Sequence, residues 1–233
     1  MNARERLDYI FGDHPTDYIP NKFGWLDTVL LSDIRTLISG GKRLKNTKSR
    51  TLIGSYGAGN VTIPILLCVG IELAAALYVG KTRYNVGSNY DATANVEVFI
   101  KMFFPHHAKE LPRILWNGVR NGLDHTFFPK FLKANRIRIQ FMFYTESMNV
   151  KSHLVKSRNV IKININCIEF YQVFKQVLKD YKSQVQSRKT LQINFMKAWK
   201  SIVKFHAMNA PMLQDFNYMS TQLRPTNRIN LFL

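Results

Sequence analysis

The segment from Val61 to Val79 restricts the fold more than any other, being almost wholly apolar with Glu72 as its only charge. Coiled as a helix rising about 1.5 Å per residue, it is nearly long enough to cross a bilayer. A helix that is apolar on every side suits two surroundings: hydrocarbon, or the centre of a protein core with neighbours packed all around it. A carboxylate near mid-membrane is costly and rare. Glu72, together with Pro64 and the lack of a second segment of this kind, favours the central core helix. A membrane-associated protein held by residues 61–79 stands as the alternative.

A central helix needs partners, and 233 residues with 46% hydrophobic content are enough to supply them. From Trp25 to Ile38 apolar residues recur three and four apart, which predicts an amphipathic helix stopped by Gly40-Gly41. Basic residues and glycines then predict an exposed loop to Asn60. Val96, Phe99, Ile100 and Phe103 predict a helix closed by Pro105, and a further helix runs from about Glu110 through Ile114, Leu115 and Val119 toward Pro129. Alternation in Arg136–Phe143 and in Val160–Asn166 predicts two strands, paired as a small β-hairpin at about 136–166. Asn166 with Glu169 reads as an N-cap and its reciprocal partner, opening a helix through Tyr181, and a last helix spans roughly Leu191 to Met208. The expected organisation is mainly α: a helical domain over 1–187 carrying the hairpin, and a basic helical extension over 188–233.

Charge is distributed unevenly. Lys and Arg number 33 against 15 Asp and Glu, a net charge of +18. Residues 1–129 hold 15 basic and 11 acidic residues, whereas residues 130–233 hold 18 and 4. That excess implies a polyanionic partner. Nucleic acid is the first expectation, because each neutralised phosphate releases condensed counterions, and an anionic membrane surface is the second. Lys130, Lys133, Arg136, Arg138, Lys197, Lys200 and Lys204 are the expected phosphate contacts. The two cysteines, Cys68 and Cys167, do not make a disulfide framework, and the charged start of the chain does not read as a secretory signal, so a cytoplasmic address is expected.

Several familiar sites are excluded by spacing. Gly80-Lys81-Thr82 lacks the glycine that a phosphate loop needs five residues earlier, where Ala75 stands, and it closes a helix instead of opening one. Gly57-Ala58-Gly59 has no third glycine and no preceding strand. His106-His107 has only Glu110 at ligand spacing, and no metal or cofactor is expected.

The remaining cluster is Trp116-Asn117-Gly118-Val119-Arg120-Asn121-Gly122-Leu123-Asp124-His125-Thr126-Phe127-Phe128-Pro129. Arg, Asn, three loose positions and His, at the end of an apolar helix, resemble the motif of the HEPN family of helical RNases. The likeness covers roughly residues 24–187 and is specific around 94–130. It implies a HEPN-like helical bundle, with the hairpin and the C-terminal helix as additions, and a homodimer in which two motif-bearing helices build one composite cleft. It also implies a metal-independent endoribonuclease of toxin or defence type, with a neutralising or regulatory partner protein. In an ideal helix, residues five apart point about 140° away from each other, so Arg120 and His125 of one copy converge only where the helix ends or distorts.

The chemistry fits that resemblance. Cleavage by the 2′-hydroxyl needs a proton acceptor, a proton donor and charge stabilisation at phosphorus. Histidine transfers protons near neutral pH, and a permanently charged Arg binds phosphoryl oxygens in a two-pronged grip. The roles expected are His125 as base or acid, Arg120 as anion stabiliser and Asn121 as the orienting group, with Glu72 and Asp124 in support. Glu72 stands out because a carboxylate in an apolar helix must be paired, neutral or facing a cleft. A binding module that holds RNA without cleaving it is the alternative function.

Overall fold

The computed structural model describes residues 10–11, 26–46, 62–82, 91–104, 116–120, 132–134, 136–145, 151–204, 211–214 and 218. They fall in two compact units, Met1–Ile202 and Val203–Leu233. In the second unit, residues 211–214 are helical and exposed.

The first unit is built around α2 (Thr62–Val79), ten of whose eighteen residues are buried. A π-helical turn, Leu26–Leu31, leads into α1 (Ser32–Asn46), and the helix passes straight through Gly40-Gly41, where a stop was expected. The rest of the expected loop, from Thr47 to Asn60, lies outside the described residues. Gly80, at a φ of 76°, closes α2 in the left-handed region that favours glycine. Next comes α3 (Ala92–Phe103), capped by Asp91, whose side chain accepts a hydrogen bond from the Ala94 N–H. A second π-helical turn, Trp116–Arg120, precedes the strands. After them run α4 (Cys167–Ser187) and α5 (Lys189–Ile202), and α2 touches α3, α4, α5 and both π-helical turns.

The expected HEPN-like helical bundle with a hairpin insertion is not the fold. Four strands, β1 (Leu132–Ala134), β2 (Ile137–Tyr144), β3 (His153–Ser157) and β4 (Val160–Asn166), form one mixed sheet in the order β1-β2-β4-β3. β2 and β4, the two strands expected to make a hairpin, are parallel neighbours: Ile139 faces Ile161, Phe141 faces Ile163 and Phe143 faces Ile165. The antiparallel place beside β4 is taken by β3, joined to it through the two-residue turn Arg158-Asn159, with Ser157 opposite Val160. Matched alternation puts six apolar side chains of β2 and β4 on one face. Phe141, Ile163 and Ile165 are buried there in the same core as α2. The result is a helix-rich α+β fold in which the sheet is a wall of the core.

The strand-to-helix junction is pinned by polar groups. Asn166 accepts from the Ile168 N–H at 3.0 Å, as an N-cap should, but Glu169 does not reach back to Asn166. Instead the Ser152 N–H donates to Glu169 at 2.6 Å, and the Asn166 N–H donates to the Ser152 hydroxyl at 3.0 Å. Burial acts to raise the Glu169 carboxyl, yet the bonds from Ser152 and the Lys151 ammonium outweigh it and hold the group below the usual carboxylate range. Beside it, burial pushes the Cys167 thiol up to about 12, against the lowering effect of backbone bonds from Tyr144 and Cys167 itself. It is therefore a neutral core group.

Behind the sheet, Tyr181 of α4 sits fully buried among Phe11, Tyr78, Phe99 and Phe103, each ring 5.5 to 5.9 Å away and steeply inclined to it. Burial, and secondarily Tyr78, push its phenol well above the usual range. Among the described residues the Tyr181 hydroxyl has no hydrogen-bond partner. An unsatisfied buried hydroxyl costs roughly 1–3 kcal/mol, whereas the ring it sits on contributes packing. Tyr181→Phe should therefore stabilise the chain by about 1 kcal/mol and raise the melting temperature by roughly 2–4 °C. A lower melting temperature would show that the hydroxyl is satisfied.

Candidate nucleic-acid interface

The sheet has one covered face and one open face. Alternation along β2 and β4 sends Arg138, Gln140 and Met142, and Lys162 and Asn164, away from the core. Cross-strand register then extends that face: Lys133 of β1 lies opposite Arg138, Gln140 opposite Lys162, and Val155 of β3 opposite Lys162 on the other side. Asn164 Nδ2 stands 3.2 Å from His153 Nε2, which ties β3 to β4 on the same face. The described residues between 132 and 166 carry seven basic side chains, at 133, 136, 138, 151, 156, 158 and 162, all exposed, and no carboxylate. Lys151 is tied to the start of α4 by a salt bridge to Glu169 at 3.4 Å.

Of the expected phosphate contacts, Lys133 and Arg138 lie on this open face and Arg136 in the turn before β2, all exposed. Lys197 and Lys200 are exposed on α5, three residues apart and so on one side of that helix. Lys204 is exposed in the second unit, and Lys130 lies outside the described residues. Lys156, Arg158 and Lys162 are exposed as well and were not among the expected contacts; Lys156, opposite Ile161, is on the covered side, Arg158 is in the turn, and Lys162 is on the open face. For Lys162 the signal was present, since it fills a polar position in the alternation of Val160–Asn166.

The described part of the motif cluster, Trp116–Arg120, abuts the covered side of the same sheet, where Gly118 lies against Phe141. Arg120 ends the π-helical turn, and its Nη2 lies 3.1 Å from Glu72 Oε2 of α2, the two side chains being 26% and 27% exposed. The guanidinium also lies 5.3 Å from the Trp116 ring centroid, while Trp116 Nε1 donates to Thr93 Oγ1 of α3 at 3.1 Å. The only charge on α2 thus meets a cation held by an aromatic ring. Asn121, Asp124 and His125 lie outside the described residues.

No protein-family model, curated protein or solved structure matches this chain.

Gly118 joins the two regions. A Cβ placed there would run into the Phe141 ring, so the turn that carries Arg120 rests on β2 through a position where any side chain would force that ring to shift. On the other side of that strand, Gln140 and Met142 flank Phe141 and face outward. Gly118→Ala should cost roughly 1–3 kcal/mol through overpacking. Phe141→Leu in the same chain should recover part of that loss, giving a coupling of about 1 kcal/mol in a double-mutant cycle. Additive melting-temperature changes would show that the two residues do not press on each other.

Proposed function

We propose that this chain is an RNA-binding protein whose grip comes from its basic open sheet face. The observation that carries this reading is that Lys133, Arg138 and Lys162 are exposed together on that face, with no carboxylate among the described residues from 132 to 166. Like charges held close repel one another at a cost to the folded state, and a polyanion relieves that cost while releasing its counterions. The burial of α2 supports this reading over membrane association, since α2 is the one helix long and apolar enough to cross a bilayer among the described residues, and most of it is enclosed.

The second reading is RNA cleavage, favoured by the setting of Arg120. Its turn is π-helical, a winding that is rare and frequent at functional sites. The Glu72 carboxylate occupies the guanidinium as an anion, in a half-buried position that a phosphate would contest. In this reading His125 takes the 2′-proton or protonates the leaving group, the 2′-oxygen bonds to phosphorus, and the bond from phosphorus to the 5′-oxygen breaks. Arg120 balances charge on the non-bridging oxygens and Asn121 orients the groups. A symmetric dimer would supply a second His125 as the complementary acid or base.

Two measurements test the two readings. Binding of labelled single-stranded RNA should fall steeply with salt, by about 0.7 in log affinity per unit of log salt for each phosphate neutralised. Replacing Lys133, Arg138 and Lys162 with Gln should flatten that slope more than replacing Lys197, Lys200 and Lys204; equal slopes in all three proteins would contradict the sheet-face grip. For cleavage, protein in excess EDTA should cut RNA and spare DNA, leaving 2′,3′-cyclic phosphate and 5′-hydroxyl ends. Arg120→Ala and His125→Ala should each remove most of that activity, and Asn121→Ala less, with binding largely kept. Intact RNA after incubation with the wild-type chain removes the cleavage reading and leaves the binding reading standing.

A further inference from the structure

We infer that the open sheet face receives an unpaired nucleic-acid strand, with phosphates on Lys133, Arg138 and Lys162 and bases against Met142 and Val155. This rests on the RNA-binding reading and specifies what form of strand the face accepts.

The first reason is the width of the surface. Four strands spaced about 4.8 Å apart make a backbone wall roughly 14 Å across, before side chains are added. A duplex major groove is about 12 Å wide and admits a helix or a two-stranded ribbon. This sheet cannot shed strands to enter it, because Phe141, Ile163 and Ile165 on its other face are fixed in the core. Against a broad surface a duplex offers only its phosphates and sugars.

The second reason is what lies between the cations. Lys133 and Arg138 are cross-strand partners, about 5 Å apart at Cβ, and Lys162 lies diagonally from Arg138, at about 7–8 Å. Next to them Met142 is 52% exposed and Val155 is 45% exposed. A duplex keeps its bases stacked inward and would leave those two side chains in water. An unpaired strand can lay the face of a base on them while its phosphates reach the cations. Met142 is well suited to this because its thioether is flexible and packs favourably against rings. Gln140 and Asn164, half-buried between the cations and the apolar positions, offer both donors and acceptors to base edges.

The full-length chain should be titrated by fluorescence anisotropy against poly-U RNA, poly-dT DNA, a duplex RNA of similar length and phosphatidylserine vesicles. Single strands should bind about tenfold or more tighter than the duplex, and the RNA and DNA arms show whether the 2′-hydroxyl contributes. Met142→Ser with Val155→Ser should weaken single-strand binding several-fold while leaving the salt slope unchanged, because no charge is removed. The double variant should melt like wild type, since both positions are exposed. Duplex bound as tightly as single strand, or a Ser variant that binds single strands like wild type, overturns the inference while the RNA-binding reading stands. Binding to vesicles with none to any oligonucleotide overturns both.

Discussion

Burying α2 is the constraint on which the rest of the first unit depends. A helix with no polar side has to be enclosed, and here α3, α4, α5 and both π-helical turns enclose it. Its one charge then dictates a detail. Glu72 lies on the partly exposed side of that helix, three residues from the exposed Val69, and its carboxylate is paired there with Arg120. The position of the motif turn follows from an ion pair with the central helix and from the Trp116–Thr93 hydrogen bond to α3.

The sheet follows from the same need for cover. Its alternation closes one side of the core with Phe141, Ile163 and Ile165 and leaves the opposite positions in water. Those opposite positions include cations, amides and apolar side chains, and none of the described ones is acidic. Gly118 against Phe141 makes the strand a shared wall, with the Arg120 turn on one side and the open basic face on the other. Both proposed functions therefore use opposite sides of one element, β2.

Much of the helical part was legible in the sequence, because three- and four-residue spacing specifies both an element and its buried face. Val96, Phe99 and Ile100 of α3 and Phe174, Val177, Leu178 and Tyr181 of α4 are buried as that spacing requires. The capping side chain Asn166 lies at a true helix start, though Glu169 turned to Ser152, a residue fourteen positions upstream of the cap. Strand direction was not legible. Alternation shows which residues share a face and is silent about parallel or antiparallel pairing, so β2 and β4 read as a hairpin. β3, His-Leu-Val-Lys-Ser, puts adjacent apolar residues on opposite faces and is exposed throughout, and it therefore read as connection. Without it the sheet order cannot be found. The HEPN-like bundle failed as a fold expectation for this reason, since a short motif at Arg120 carries no information about the strands that follow it.

Where RNA touches the protein is the most direct test of the sheet-face grip. Single-stranded RNA carrying 4-thiouridine, cross-linked by light to the full-length chain and mapped by mass spectrometry, should attach to outward positions of β2 and β4, with Met142 and Lys162 among the sites. Cross-links confined to α1–α3 or to the second unit, with the sheet untouched, would contradict it.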